Sequence, residues 1–254
     1  MESEQILMCF FSLRFSLTPM NGWNIILSRN GKEGIWMRVI DLTQTITENM
    51  PVYPGTEGPK LQPASTCEKD GFRETLLTMY SHTGTHMDAP AHIFAGRPTL
   101  DTMDAGCFVG KGLILDCREF REGQEIPLDK IRAADVLAEE ADFLLFLTGW
   151  SRRWGSEAYF GTYPVLSREA CQFLIDTGKK GVGLDVISLD PIADAELTRH
   201  HQVLAHGMVI VENLTNLEEA YEASRGGLFT LAVLPMKYEN ADGAPVRAVA
   251  IMEE

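Results

Sequence analysis

The sequence predicts an α/β (α+β) protein, with a mixed, largely buried sheet and a few helices in one domain. Three observations carry that expectation. Eight short segments read as strands and four as helices, and the two kinds mix without strict alternation. Phe143 to Leu147 is an unbroken run of large apolar residues, as in a strand buried on both faces. The chain has 254 residues, 45% hydrophobic and 23% charged, which is enough to bury such a core.

In chain order the candidate strands are 38–43, 73–81, 112–116, 143–148, 181–186, 208–212, 228–234 and 246–252. Arg73 to Tyr80 partly alternates apolar with polar residues, the pattern of a strand with unlike faces. The candidate helices are 128–140, 168–177, 196–206 and 216–224. Ser167 is placed to cap the second helix, with Glu169 in its first turn. Gly178 ends it, and Lys179 and Lys180 lie just beyond.

The segment 1–36 reads differently. It balances Arg14, Arg29 and Lys32 against Glu2, Glu4 and Glu33, so the whole net charge of −14 belongs to 37–254. Its apolar stretch from Ile6 to Leu17 is broken by Arg14 and preceded by acid, unlike a secretory signal. Met37 runs directly into the strand-like Arg38-Val-Ile-Asp-Leu-Thr43. The expectation is an N-terminal extension, 1–36, outside the native domain, and a single domain over 37–254 that starts at Met37.

With 22 basic and 36 acidic residues, the chain has no general electrostatic attraction to nucleic acid or to an anionic membrane. No apolar run approaches the roughly 18 residues that cross a bilayer. The five cysteines, Cys9, Cys67, Cys107, Cys117 and Cys171, are odd in number, scattered and without a C-x-x-C pair. That argues against a disulfide framework and a structural zinc knuckle, and for a reducing compartment, the cytoplasm.

All six histidines fall in two clusters. The first is His82-Thr-Gly-Thr-His86-Met-Asp88-Ala-Pro-Ala-His92. Gly84 and Pro90 argue against a helix, so the run reads as a strand end entering a sharp loop. Two imidazoles and a carboxylate suit zinc, manganese or iron and leave positions open for water or substrate. A lone histidine would read as a loop cap; three with an aspartate in one short run read as a metal site. The second cluster is His200-His201-Gln-Val-Leu-Ala-His206, followed by Glu212 at the end of a candidate strand. Spacing leaves open which of His200 and His201 points inward.

The first cluster resembles the H-x-G-T-H-x-D-x-P-x-H signature of the cyclase-type metal-dependent hydrolases, which include bacterial kynurenine formamidase and isatin hydrolase. Asp41-Leu-Thr, Pro51-Val-Tyr-Pro-Gly55, Thr148-Gly-Trp150, Trp154-Gly155, Ser188-Leu-Asp-Pro191 and the segment from His200 to Glu212 agree with it. The resemblance runs from Met37 to the C-terminus. It implies a compact β/β/α architecture, a homodimer or higher homo-oligomer, and one or two divalent ions, zinc or manganese, per subunit. It implies that His82, His86 and Asp88 hold one ion, that Asp88 bridges to a second, and that His200 and Glu212 complete the second site. His92 would be the catalytic histidine. Formamidase-like members tend to carry Trp where this chain has Tyr53.

The expected reaction is hydrolysis of a small amide or formamide, such as N-formylkynurenine. A metal-activated water would attack the carbonyl, and His92 would shuttle a proton to the leaving amine. Tyr53, Trp150 and Trp154 are candidates for an aromatic wall. Alternatives on the same residues are a lactam or lactone hydrolase, a cyclase or dehydratase, or a non-catalytic metal-binding protein. Gly149-Trp-Ser151 lacks the second Gly of a nucleophile elbow, and no H-E-x-x-H occurs, which argues against serine-hydrolase and zincin chemistry.

Overall fold

The computed structural model describes residues 12–17, 23–28 and 35–253, with side chains from Met37 onward. The first half of the chain forms β1 (Ser12–Leu17), β2 (Trp23–Ser28), β3 (Ile35–Asp41), β4 (Lys60–Ser65), α1 (Cys67–Asp70), β5 (Glu74–Thr78), β6 (His86–Asp88), β7 (Val109–Asp116) and β8 (Glu125–Ile126). Then follow α2 (Leu128–Arg132), α3 (Asp135–Glu140), β9 (Phe143–Leu147), β10 (Val165–Leu166), α4 (Arg168–Asp176) and β11 (Gly181–Leu184). The chain continues with α5 (Thr198–Leu204), β12 (Val209–Glu212), α6 (Leu217–Ser224), β13 (Phe229–Pro235) and β14 (Gly243–Glu253).

The main sheet runs β1-β2-β3-β14-β13-β7-β9-β11-β12-β6, and β6 pairs again with β14. The strands from β14 round to β6 therefore close into a barrel. β7, β9, β11 and β12 run parallel, and antiparallel pairs complete the ring. Closure depends on the length of β14. One edge pairs with β13, while the other takes β6 along Gly243–Pro245 and β3 along Val249–Glu253.

The parallel strands are buried on both faces. Phe143, Leu145 and Leu147 of β9 pack inside the closed sheet with Val209, Val211, Leu231, Val233 and Ala248. Leu144 and Phe146 face outward, against Leu174 of α4 and Val203 and Leu204 of α5. This is why the run reads as uniformly apolar rather than alternating. Ser167 caps α4 by accepting from Ala170 N, and Gly178 follows the helix with φ +64°.

Three expectations change. Helix 128–140 is two short helices, α2 and α3, because Asp135 adopts φ +48°, a conformation Asp tolerates better than most residues. The strand within 73–81 is not in the main sheet. As β5 it pairs only with β4, in an exposed hairpin that was unforeseen because Lys60-Leu-Gln-Pro-Ala-Ser65 lacks apolar alternation. His86–Asp88 is itself a strand, held between β12 and β14. Of the expected extension, β2 pairs antiparallel with β3, and β1 pairs antiparallel with β2 at the sheet's edge. Residues 1–11, 18–22 and 29–34, including Cys9, lie outside the described residues, and the expected boundary at Met37 falls inside β3.

Gly181 lies where three strands crowd together. A Cβ there would sit 2.7 Å from Val209 Cγ2, 2.8 Å from the Val209 carbonyl oxygen and 2.9 Å from Phe143 Cε1. Backbone and packed rings yield little, so Gly181→Ala should destabilise the fold by about 1–3 kcal/mol. Urea unfolding should show a lower midpoint with an unchanged slope.

Candidate active site

The site assembles at the seam where the barrel closes. Ser81 to Thr85 form a turn in which Gly84 takes φ +68°, and β6 then brings His86 and Asp88 into the sheet. On the neighbouring β12, Glu212 stands opposite His86. On β14, Gly243 stands opposite Asp88. His200 arrives on α5, and His92 ends a 3-10 turn that begins at Pro90.

These groups converge. Asp88 Oδ1 lies 2.6 Å from His82 Nδ1 and 3.4 Å from His86 Nε2, and its Oδ2 lies 3.5 Å from His200 Nε2. Glu212 Oε2 lies 3.4 Å from His86 Nε2, and Oε1 lies 3.3 Å from His200 Nε2. Three donor groups result: His82–His86–Asp88 and Asp88–His200–Glu212, which share Asp88, and His82–His92–Asp242, which shares His82 with the first. The His92 ring is 4.0 Å from that of His82 and 6.1 Å from that of His200, centroid to centroid.

The orientation of the imidazoles tests whether a metal fits. His86 donates Nδ1–H to the Gly84 carbonyl at 2.8 Å. His200 donates Nδ1–H to Asp190 at 2.7 Å. Each ring therefore turns Nε2 toward the carboxylates, as in metal sites where the outer nitrogen is tied to a second group. Buried imidazoles and carboxylates with converging donor atoms suit zinc or manganese. The residues fit the ion.

Electrostatics agree. Burial works against charge on His82 and His86, but the carboxylates beside them outweigh it. His82 is raised to about 9, chiefly by Asp88 and Asp242, and His86 to about 10, by Asp88 and Glu212. His200 is also raised, against its burial, by Asp190, Asp88 and Glu212. Burial opposes ionisation of Asp88, yet the three imidazoles hold it well below the usual carboxylate range. His92 goes the other way: burial lowers it, which keeps its ring neutral and able to accept a proton.

Sequence reasoning missed three supporting residues. Asp190, fully buried, accepts from the backbone N–H groups of Arg199 and His200 as well as from the His200 ring. It caps α5 and aims His200 with one carboxylate. Asn213 (φ +58°) donates to the Gly84 carbonyl and accepts from Tyr159 Oη–H at 2.7 Å, while its own carbonyl accepts from Thr85 Oγ1. Asp242 accepts from His82 Nε2 at 3.1 Å. The stretch Ser188-Leu-Asp-Pro191 was a signal for the first; nothing local marked the other two.

The remaining candidates divide. Tyr53 lines a small cleft with Pro51, His82, His86, Ile187 and Glu212. Trp150 is not brought there. It is buried in the outer core, donates its indole N–H to the Tyr159 carbonyl and carries Arg153 3.9 Å over its ring. Trp154 packs edge-on against Tyr159. His201 faces Phe94, and His206 bonds the Gln202 carbonyl.

Residues 40–191 match the sequence model of the Cyclase family. The chain belongs to that family. It is 33% identical over 212 residues to the kynurenine formamidase of Bacillus cereus, covering 83% of this chain and 95% of that protein. The fold is shared with isatin hydrolase A from Labrenzia aggregata, at TM-score 0.76 and 24% identity, over 86% of this chain and 94% of that one. It is also shared with a structure described as a potential metal-dependent hydrolase with cyclase activity, at TM-score 0.69 and 27% identity, over 86% and 99%. This cyclase-family chain is an enzyme of the hydrolase class.

Two outcomes follow for the family site. Asp190→Ala should weaken metal affinity by about 10- to 100-fold, measured by competition with a chromophoric chelator. Because His82 and His86 are protonated below about 9 and 10, an ion must displace their protons. Zinc binding at pH 7 should release protons and tighten as pH rises toward 9, read by calorimetry in buffers of different ionisation enthalpy.

Proposed function

We propose that this enzyme hydrolyses the carbon–nitrogen bond of a small aryl formamide, with N-formylkynurenine as the first substrate to test. The observation that carries the reading is the His92 ring, 4.0 Å from that of His82, beside a converging set of imidazole and carboxylate donors. The kynurenine formamidase relative supports the substrate class. His82, His86, Asp88, His200 and Glu212 would hold one or two divalent ions, zinc or manganese. The split of Asp88, with Oδ1 toward His82 and His86 and Oδ2 toward His200, supports two.

When bound, the ion supplies Lewis-acid polarisation of the carbonyl and lowers the pKa of a water. The chain supplies the rest. Tyr53, at the mouth of the cleft, offers a ring face to an aryl group. His92 Nδ1 lies 3.9 Å from Asp242, and its other ring nitrogen takes the proton released at attack and gives it to the leaving amine. Without that proton the departing nitrogen is a very poor leaving group. The same groups would open a cyclic amide, so N-formylkynurenine and a lactam are assayed together.

Every residue of the site lies within 37–254, which we take as the functional domain. We also infer a homodimer or higher homo-oligomer, because Phe72, Leu76, Leu77 and Tyr80 of the β4–β5 arm are each about half exposed.

His92→Ala should keep its metal and lose about 10²- to 10⁴-fold in kcat on N-formylkynurenine. Chelator should abolish wild-type turnover, and zinc or manganese should restore it. Full activity of His92→Ala would remove its role. Light scattering should give at least twice the chain mass, falling to one chain in Leu76→Glu/Leu77→Glu.

A further inference from the structure

His82 differs from the other two imidazoles at the centre. His86 and His200 tie down Nδ1 and turn Nε2 inward. In His82 the nitrogen beside Asp88 is Nδ1, at 2.6 Å, and the outer nitrogen is Nε2, 3.1 Å from Asp242 Oδ2. Asp242 is itself anchored. Ser81 Oγ donates to Oδ2 at 3.4 Å, the Tyr238 hydroxyl donates to the carbonyl of the adjacent Gly243, and the Asp242 carbonyl accepts from Ala89 N at 2.9 Å. The last bond joins it to the residue after Asp88, so both carboxylates flanking His82 ride on the same β6–β14 ladder.

Gly243 completes the clamp. A Cβ there would collide with the His82 ring, 2.7 Å from Nε2 and 2.9 Å from Nδ1, with Cε1 closer still. Glycine lets the backbone lie flat against the ring and fix its plane.

We infer that Asp242 and Gly243 are positioning residues that make His82 a ligand through Nδ1, opposite in ring sense to His86 and His200. Asp242 holds the Nε2–H, and Gly243 leaves space for the ring in that orientation. A carboxylate on the outer nitrogen raises ligand basicity and removes rotational freedom. The assignment rests on the metal-site reading above.

The test uses the full chain loaded with zinc and labelled with 15N-histidine. Long-range 1H–15N spectra distinguish an imidazole ligated through Nδ1 from one ligated through Nε2. His82, assigned by its loss in His82→Gln, should show the Nδ1-ligated pattern, and His86 and His200 the other. Zinc affinity by chelator competition should fall about 10- to 100-fold in Asp242→Ala and in Gly243→Ala. Asp242→Asn keeps an acceptor oxygen for Nε2–H and should recover most of that loss. Zinc bound to His82 through Nε2, or unchanged affinity in folded Asp242→Ala, would overturn the assignment while leaving the function standing. A wild-type protein that takes up no zinc or manganese would overturn the functional reading, and this assignment with it.

Discussion

Two carboxylates, Asp88 and Glu212, are buried side by side at the seam that closes the barrel, and the rest of the structure is arranged around that cost. Each raises the other's affinity for a proton, and burial adds to the penalty. Unpaired, they would oppose closure of the sheet. His82, His86 and His200 supply the compensating charge, and both acids stay ionised. An ion replaces protons in a pocket already shaped for positive charge. The seam is therefore both the weakest place to close a barrel and the place where a cation does most to hold it closed.

Because the acids are on strands, their spacing is set by register. β12 places Glu212 across from His86, and β14 places Gly243 across from Asp88. A slip of one residue would turn every donor to the opposite face. The apolar fill of the barrel, from Phe143 and Leu145 to Val209 and Leu231, fixes that register at a distance. Core packing and metal geometry are the same constraint seen at two depths.

A second tier of groups converts this frame into chemistry. Asp190, Asn213 and Asp242 touch the turn or the outer ring nitrogens and hold the inner ones aimed inward. Tyr53, by contrast, lines the cleft and is partly exposed, and the half-buried His92 ring lies beside that of His82.

The ligand run from His82 to Asp88, with His92 beyond it, was legible because those residues lie close along the chain and their chemistry is uncommon. Seven of the eight candidate strands were legible because burial on one or both faces writes a local apolar pattern; the eighth, β5, is exposed along its length. The choice of His200 over His201 came from the family resemblance alone, since by spacing adjacent helical positions differ only in which face meets the core. Asp190 lay in the stretch Ser188-Leu-Asp-Pro191 that the resemblance marked, but Asp242 was invisible as a ring partner, one acid among 36 with no local mark. Trp150 read as a pocket wall, yet its indole N–H finds a buried carbonyl in the outer core. The exposed β4–β5 arm and the closure of β6 onto β14 came only with the tertiary structure. Sequence alone thus determined the candidate donor set and the fold class, which depend on residue type and short spacing. Tertiary structure decided barrel closure and the outer partner of His82, Asp242, which depend on contacts more than a hundred residues apart, whereas His86 and His200 take their orientation from Gly84 and Asp190 nearby in the chain.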